Sequence, residues 1–171
     1  MYEFSYWLST TPVSLSLALS GWFIPTAQII HILSIAALIG SVLIINLRVL
    51  RVGKTHPGFG NIVEGYGNWF WAPLGVLLAS GFMLILAEPE RQLLALSFWI
   101  KMALLIVASA IFARFLMRLK HAEFADGNFV SPKYKAASVA NLVLWVCIIF
   151  LGRFIAYDVQ IWDSLSPMAY L

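Results

Sequence analysis

Residues 24–47 read IPTAQIIHILSIAALIGSVLIINL, a stretch with no Asp, Glu, Lys or Arg. A helix crossing a bilayer needs roughly 20 apolar residues, so this segment is long enough to span. Three further runs match it. Residues 65–87 also lack those four residue types, 92–113 are interrupted only by Lys101, and 136–157 only by Arg153. Backbone amides in hydrocarbon must bond within their own segment, which makes helices the default. The pattern predicts an all-α integral membrane protein, with spans at about 24–48, 66–88, 93–118 and 136–157 in one domain over 1–171.

Composition excludes the soluble classes. The chain is 61% hydrophobic and 11% charged, where a soluble domain carries about 25% charged residues. Mean hydropathy is +0.88. A water-facing surface cannot be covered at that charge density, so a soluble enzyme, a nucleic-acid binder and a disordered chain are all excluded. The net charge of +3 therefore does not point to nucleic acid. Cys147 is the sole cysteine, so no intrachain disulfide can form and redox compartment is not readable from cysteine.

The first 22 residues carry Glu3 and no basic cluster, which does not read as a cleaved signal peptide. Thr11-Pro12 has the form of a capped helix start. The expectation is a short interfacial helix flanked by Trp7 and Trp22, the plainer alternative being an extended apolar tail.

Basic residues set the orientation. Arg48, Arg51 and Lys54 follow the first span, and Arg114, Arg118, Lys120, Lys133 and Lys135 flank the loop after the third. The other side has Arg91 among Glu3, Glu88, Glu90, Asp158 and Asp163. Both termini are thus expected on the periplasmic side of a bacterial inner membrane, and the two longer loops inside. Trp7, Trp22, Trp99 and Trp162 fall near the outer boundary, Trp69 and Trp71 near the inner one. Small residues at helical spacing (Ala36 and Gly40, Ala37 and Ser41, Gly75 and Ala79) predict close helix approach in a compact antiparallel four-helix bundle.

Three ionisable residues lie inside the spans: His31, Lys101 and Arg153. Intramembrane ionisable groups are costly and are functional candidates by default. At 1.5 Å per residue they fall about 9, 10 and 6 Å below the outer boundary, which places them in one layer. Cations there repel unless an anion lies between them, and Glu88 and Asp158 are only at the edge. A ligand bearing carboxylates fits. Haem is one, with imidazole on the iron and Lys or Arg on the propionates. A quinone headgroup is another, with His and Lys donating to its carbonyls.

Each residue also has a bland reading. His31 could bond a neighbouring helix, and Lys101 and Arg153 could snorkel to the interface. No second histidine lies at this depth. Met83 is the candidate sixth ligand, although methionines more often pack. Met102, Lys101 itself, a partner protein or an empty position are the alternatives. His56 and His121 fall in the inner loops, where they could bind a metal or an inner haem or simply be solvated. Asn46 and Asn141 are expected to hydrogen-bond across helices. No carboxylate pair, Ser-His-Asp set, CxxC or phosphate loop is present, which leaves enzymatic activity open.

Trp7-Leu8-Ser9-Thr10-Thr11-Pro12, then Trp22, Pro25, His31, Gly40 and Asn46-Leu47-Arg48, resemble an uncharacterised family of bacterial four-span membrane proteins. Phe98-Trp99-Ile100-Lys101-Met102 and Gly152-Arg153-Phe154-Ile155-Ala156-Tyr157 match its later motifs. That family often has Asp where this chain has Asn46, so the resemblance implies no proton relay there. His31 with Gly40, and Lys101 in a later span, are also distantly similar to copper-resistance-D-type membrane domains and to haem-containing protoporphyrinogen oxidases. In the latter group the matching His and Lys serve the haem site, which implies His31 as iron ligand and Lys101 as part of the haem or substrate site. The basic and aromatic motifs of a porphyrin-oxidising site are not recognisable.

The expectation is a small b-type haem protein, or a membrane anchor subunit, passing electrons between an outer-face redox partner and the quinone pool. His31 would be the iron ligand, Lys101 and Arg153 the propionate or quinone contacts, and Met83 a further ligand. The partners would be the bilayer and other redox subunits or a second copy. The alternatives are a cofactor-free accessory subunit and a copper-resistance-D-like transport or metal-handling protein. The second is poorly served by the few Met, Cys and His.

Overall fold

The computed structural model describes residues 1–50, 65–121 and 132–170, and every regular element among them is helical. Two short helices come first, α1 (Tyr2–Ser9) and α2 (Pro12–Leu19). The single interfacial helix expected here is broken at Thr10. Thr11 is the cap of α2, its Oγ1 accepting from the Ser14 N–H at 3.3 Å, and Pro12 occupies the first turn where no amide is needed.

Four helices are long and apolar enough to cross a membrane. They contain α3 (Phe23–Val49), α4 (Trp71–Ala87), α6 (Leu96–His121) and α7 (Pro132–Phe154). A helical stretch over 65–69 leads into α4 through a turn at Phe70. The short α5 (Pro89–Leu93) joins α4 to α6. After α7 the chain makes a 3-10 turn (Ile155–Tyr157), the short α8 (Asp158–Trp162), and two more 3-10 turns. The short helices gather at one end of the bundle, here the near end. The far end is where α3 and α6 finish and α7 starts. The expectation for His56 lies outside the described residues, as does the side chain of His121.

In pairs, α3 packs on α4 and α7, and α6 packs on α7. The core is built from helical repeats. Leu38, Val42, Ile45 and Val49 form one buried stripe of α3, and Leu105, Ala108, Phe112 and Phe115 form one of α6. Phe70 fills the centre, its ring 4.7 Å from Phe112 and 5.9 Å from Trp145 between centroids. Such aromatic contacts add to simple area burial. Around this core the outward faces remain apolar, with Ile32, Phe82, Ile106 and Phe150 all exposed. A soluble helix would put polar residues there.

The third and fourth helices differ from their expected limits. Proline at 89 starts a separate turn, and α6 begins only at Leu96. The cause is distant in sequence. The Asp158 carboxylate accepts from the N–H groups of Leu96 at 2.9 Å and Ser97 at 2.8 Å, and from the Ser166 hydroxyl. The first amides of a helix have no intrahelical partner, and Asp158 satisfies two of them. Trp162 adds a bond from Nε1–H to Ser97 Oγ at 2.8 Å.

Of the three small-residue pairs expected to give close contacts, Ala37 and Ser41 has Ser41 buried, and the other two do not make them. Ala36, Gly75 and Ala79 are exposed, and a Cβ built on Gly40 or Gly75 would meet nothing within 4 Å. The close approaches use other glycines. A Cβ on Gly67 would come 3.3 Å from Leu116, one on Gly81 would come 3.4 Å from His31, and one on Gly152 would come 3.8 Å from Lys101. Glycine spacing identified small surfaces but not which of them face a neighbour.

Candidate functional site

His31 lies in the near-end part of α3 and Ser80 in the near-end part of α4. Their side chains meet, His31 Nδ1 being 2.9 Å from Ser80 Oγ. The serine hydroxyl also lies within hydrogen-bond reach of two carbonyls of α4, Val76 at 2.8 Å and Leu77 at 3.1 Å. With its proton on Nδ1 the imidazole donates to Ser80 Oγ, and in the other tautomer it accepts from that hydroxyl. The ring also lies within hydrogen-bond reach of the Leu77 carbonyl on the same helix, so α4 holds it at two points. The ring lies next to Gly81, where a Cβ would come 3.4 Å from Cε1.

Lys101, in the second turn of α6, brings its charge within electrostatic reach of the His31 ring. Its aliphatic stem lies on Gly152 of α7. Among the described residues no carboxylate pairs with it, and the one ion pair described, Arg91 to Glu88 at 3.0 Å, lies at the near-end surface. Three of the four long helices therefore build one polar locus, with α7 supplying its glycine wall.

The other candidates sit differently. Arg153 is exposed and turns along its own chain: Nη2 donates to the Tyr157 hydroxyl at 3.3 Å, and the guanidinium lies 5.2 Å from that ring's centroid. Arg153 shares the near-end half with His31 and Lys101 but is occupied by Tyr157. Met83 is 45% exposed on α4, whereas Met102 packs between the two hydrophobic clusters.

The interhelical bonds expected of the two asparagines are absent among the described residues. Asn46 is fully buried and donates from Nδ2 to Val42 of its own helix at 2.7 Å. Its Oδ1 has no partner, and neither does either side-chain atom of Asn141. Spacing along one helix did not reveal the surroundings of either amide.

Two functional partners escaped the sequence reading. Ser80 sits in an apolar run like many helix-facing serines, and only the α3–α4 contact selects it. Asp158 is an acidic residue at a span edge, and nothing nearby announces that it caps a helix more than 60 residues earlier.

A model of a family of unknown function, DUF6644, matches residues 6–158. The chain belongs to that family. The match runs from the first helix to the Asp158 cap and so includes His31, Ser80, Lys101 and Arg153. No curated protein and no solved structure matches the chain.

Proposed function

We propose that this DUF6644 chain is a multi-pass protein of the bacterial inner membrane, with both termini periplasmic, that takes part in electron transfer through a b-type haem or quinone headgroup held at His31 and Lys101. The observation that carries the proposal is the His31–Ser80 bond. A metal-binding imidazole is typically fixed by a bond from its other nitrogen, and the contact of Nδ1 with Ser80 is of that kind.

The residues fit the group in donor chemistry. His31 would hold the iron or donate to a quinone carbonyl in its other tautomer, and Lys101 would face a propionate or the second carbonyl. A haem bound there supplies one-electron chemistry. The chain's own part is to hold the imidazole through Ser80 and to place beside it a cation that pairs with no carboxylate among the described residues. Arg153 would join the site only by leaving Tyr157, and exposed Met83 would serve better towards a partner than towards His31. An outer-face redox subunit or a second copy would complete the electron path.

The orientation rests on Arg114, Arg118, Lys133 and Lys135 gathering at the far end. Exposed Trp7, Trp22 and Trp99 lie near one end of the bundle and Trp69 and Trp71 towards the other, as aromatic belts would.

The test is an absorption spectrum of the detergent-purified chain, oxidised and dithionite-reduced, with a pyridine haemochrome assay. The expected result is a reduced b-type band near one haem per chain that disappears in His31→Ala. A colourless protein after haem supplementation, with no quinone extracted by solvent, would overturn the proposal.

A cofactor-free accessory subunit is the second reading, and the same bond favours it. The His31–Ser80 contact already ties α3 to α4, which is a sufficient structural use for one histidine. On that reading the chain stays colourless and co-purifies with a larger complex.

A further inference from the structure

At the far end, the last turns of α6 and the first turns of α7 enclose a cleft of about 350 Å³. Arg114, Arg118 and Lys133 line it together with Tyr134 and Asn141. The three cations come from two helices, yet among the described residues none is paired with a carboxylate. Like charges converge on one hollow only at a cost unless an anion joins them.

Asn141 forms part of the lining and is 1% exposed. Neither its Oδ1 nor its Nδ2 has a partner. A buried amide without a bond costs about 1–3 kcal/mol, so an unused donor facing a basic cleft is an observation independent of the charges. Tyr134 offers a hydroxyl beside it, its ring held against Phe115 at 6.4 Å between centroids.

The remaining wall is apolar: Ile111, Phe115 and Ala137. On α6, Ile111 lies one turn from Val107, and both are exposed. One stripe of the helix thus runs from apolar side chains at mid-height to Arg114 and Arg118 at the end. A free oxyanion needs only the cations. An acyl chain joined to an anion needs the stripe as well.

We infer that this cleft binds the phosphate headgroup of an anionic phospholipid, with Arg114, Arg118 and Lys133 around the phosphate, the Asn141 amide donating to it, and the acyl chains along Ile111 and Val107. Basic pockets between helices at a membrane face suit such headgroups. The inference rests on the reading that the four helices span a bilayer, and it is independent of any cofactor at His31.

The test uses the full chain, delipidated in a neutral detergent and titrated with short-chain phosphatidylglycerol, phosphatidylcholine or inorganic phosphate, with thermal unfolding as the readout. Phosphatidylglycerol should give a saturable stabilisation that phosphatidylcholine and phosphate do not. Arg114→Gln/Arg118→Gln should bind it at least tenfold more weakly, since each such cation is worth roughly fivefold. These exposed side chains should leave lipid-free unfolding unchanged, and Lys133→Gln gives a milder second variant should the double one fail to fold. Equal effects of the two lipids, undiminished binding by both variants, or a phosphate effect equal to that of the lipid would each overturn the assignment. Carbonate extraction of cell membranes tests the spanning reading separately, because a chain released by carbonate fails there and not at the cleft.

Discussion

His31 Nδ1 and Ser80 Oγ are 2.9 Å apart, and the same hydroxyl lies within hydrogen-bond reach of two α4 carbonyls. One hydroxyl on α4 therefore fixes the orientation of an imidazole on another helix.

Ser80→Ala removes that constraint with little change of volume. If His31 ligates iron, the variant should bind haem about 10–100-fold more weakly, the usual effect of deleting such an anchoring partner. Haemochrome titration of wild type and variant measures it. Thermal stability should fall by only about 1 kcal/mol.

Lys101→Met separates the two readings of the site. Replacing an unpaired, largely enclosed charge by an isosteric apolar chain should be neutral or stabilising in a cofactor-free bundle. In a cofactor-binding one it should lower haem or quinone content. Cofactor content and the unfolding temperature, measured on the same preparation, decide between them.

Asp158→Ala leaves the amides of Leu96 and Ser97 without their acceptor and also loses the Ser166 bond. The expected cost is about 2 kcal/mol. Amide exchange should quicken in the first turn of α6 before anywhere else in that helix. Unchanged protection at Ser97 would refute the capping role.

Phe112→Ala opens a cavity beside Phe70, whose ring is 4.7 Å away. Burial on this scale predicts a loss of about 3–5 kcal/mol, read as a lower unfolding midpoint. The outward Phe150→Ala, exposed on α7, should cost far less in detergent.

Much of the architecture was legible in the chain because the signal is one-dimensional. A run such as 24–47 without a charge is long enough for a span whatever surrounds it, and four such runs impose four helices. His31 and Lys101 were legible for a similar reason. A costly group in an apolar run stands out against its own neighbours.

Pairing was not legible. Gly40 and Gly81 look alike in sequence, yet a Cβ on the first meets nothing within 4 Å and one on the second meets His31. The two asparagines were expected to join helices, and among the described residues neither does, because the groups opposite them depend on how the helices rotate about their axes.

The amino-acid sequence by itself thus determined that the chain is helical, where its long apolar helices lie, and which few ionisable groups they contain. Each of these follows from local composition and from the need of a backbone in an apolar setting to satisfy its own hydrogen bonds. Only the tertiary structure decided that Ser80 holds His31, that Tyr157 holds Arg153, that Asp158 caps α6, and that Arg114, Arg118 and Lys133 converge with Asn141 on one cleft. Those relationships depend on helix rotation and register, which packing of whole surfaces selects and no single segment encodes.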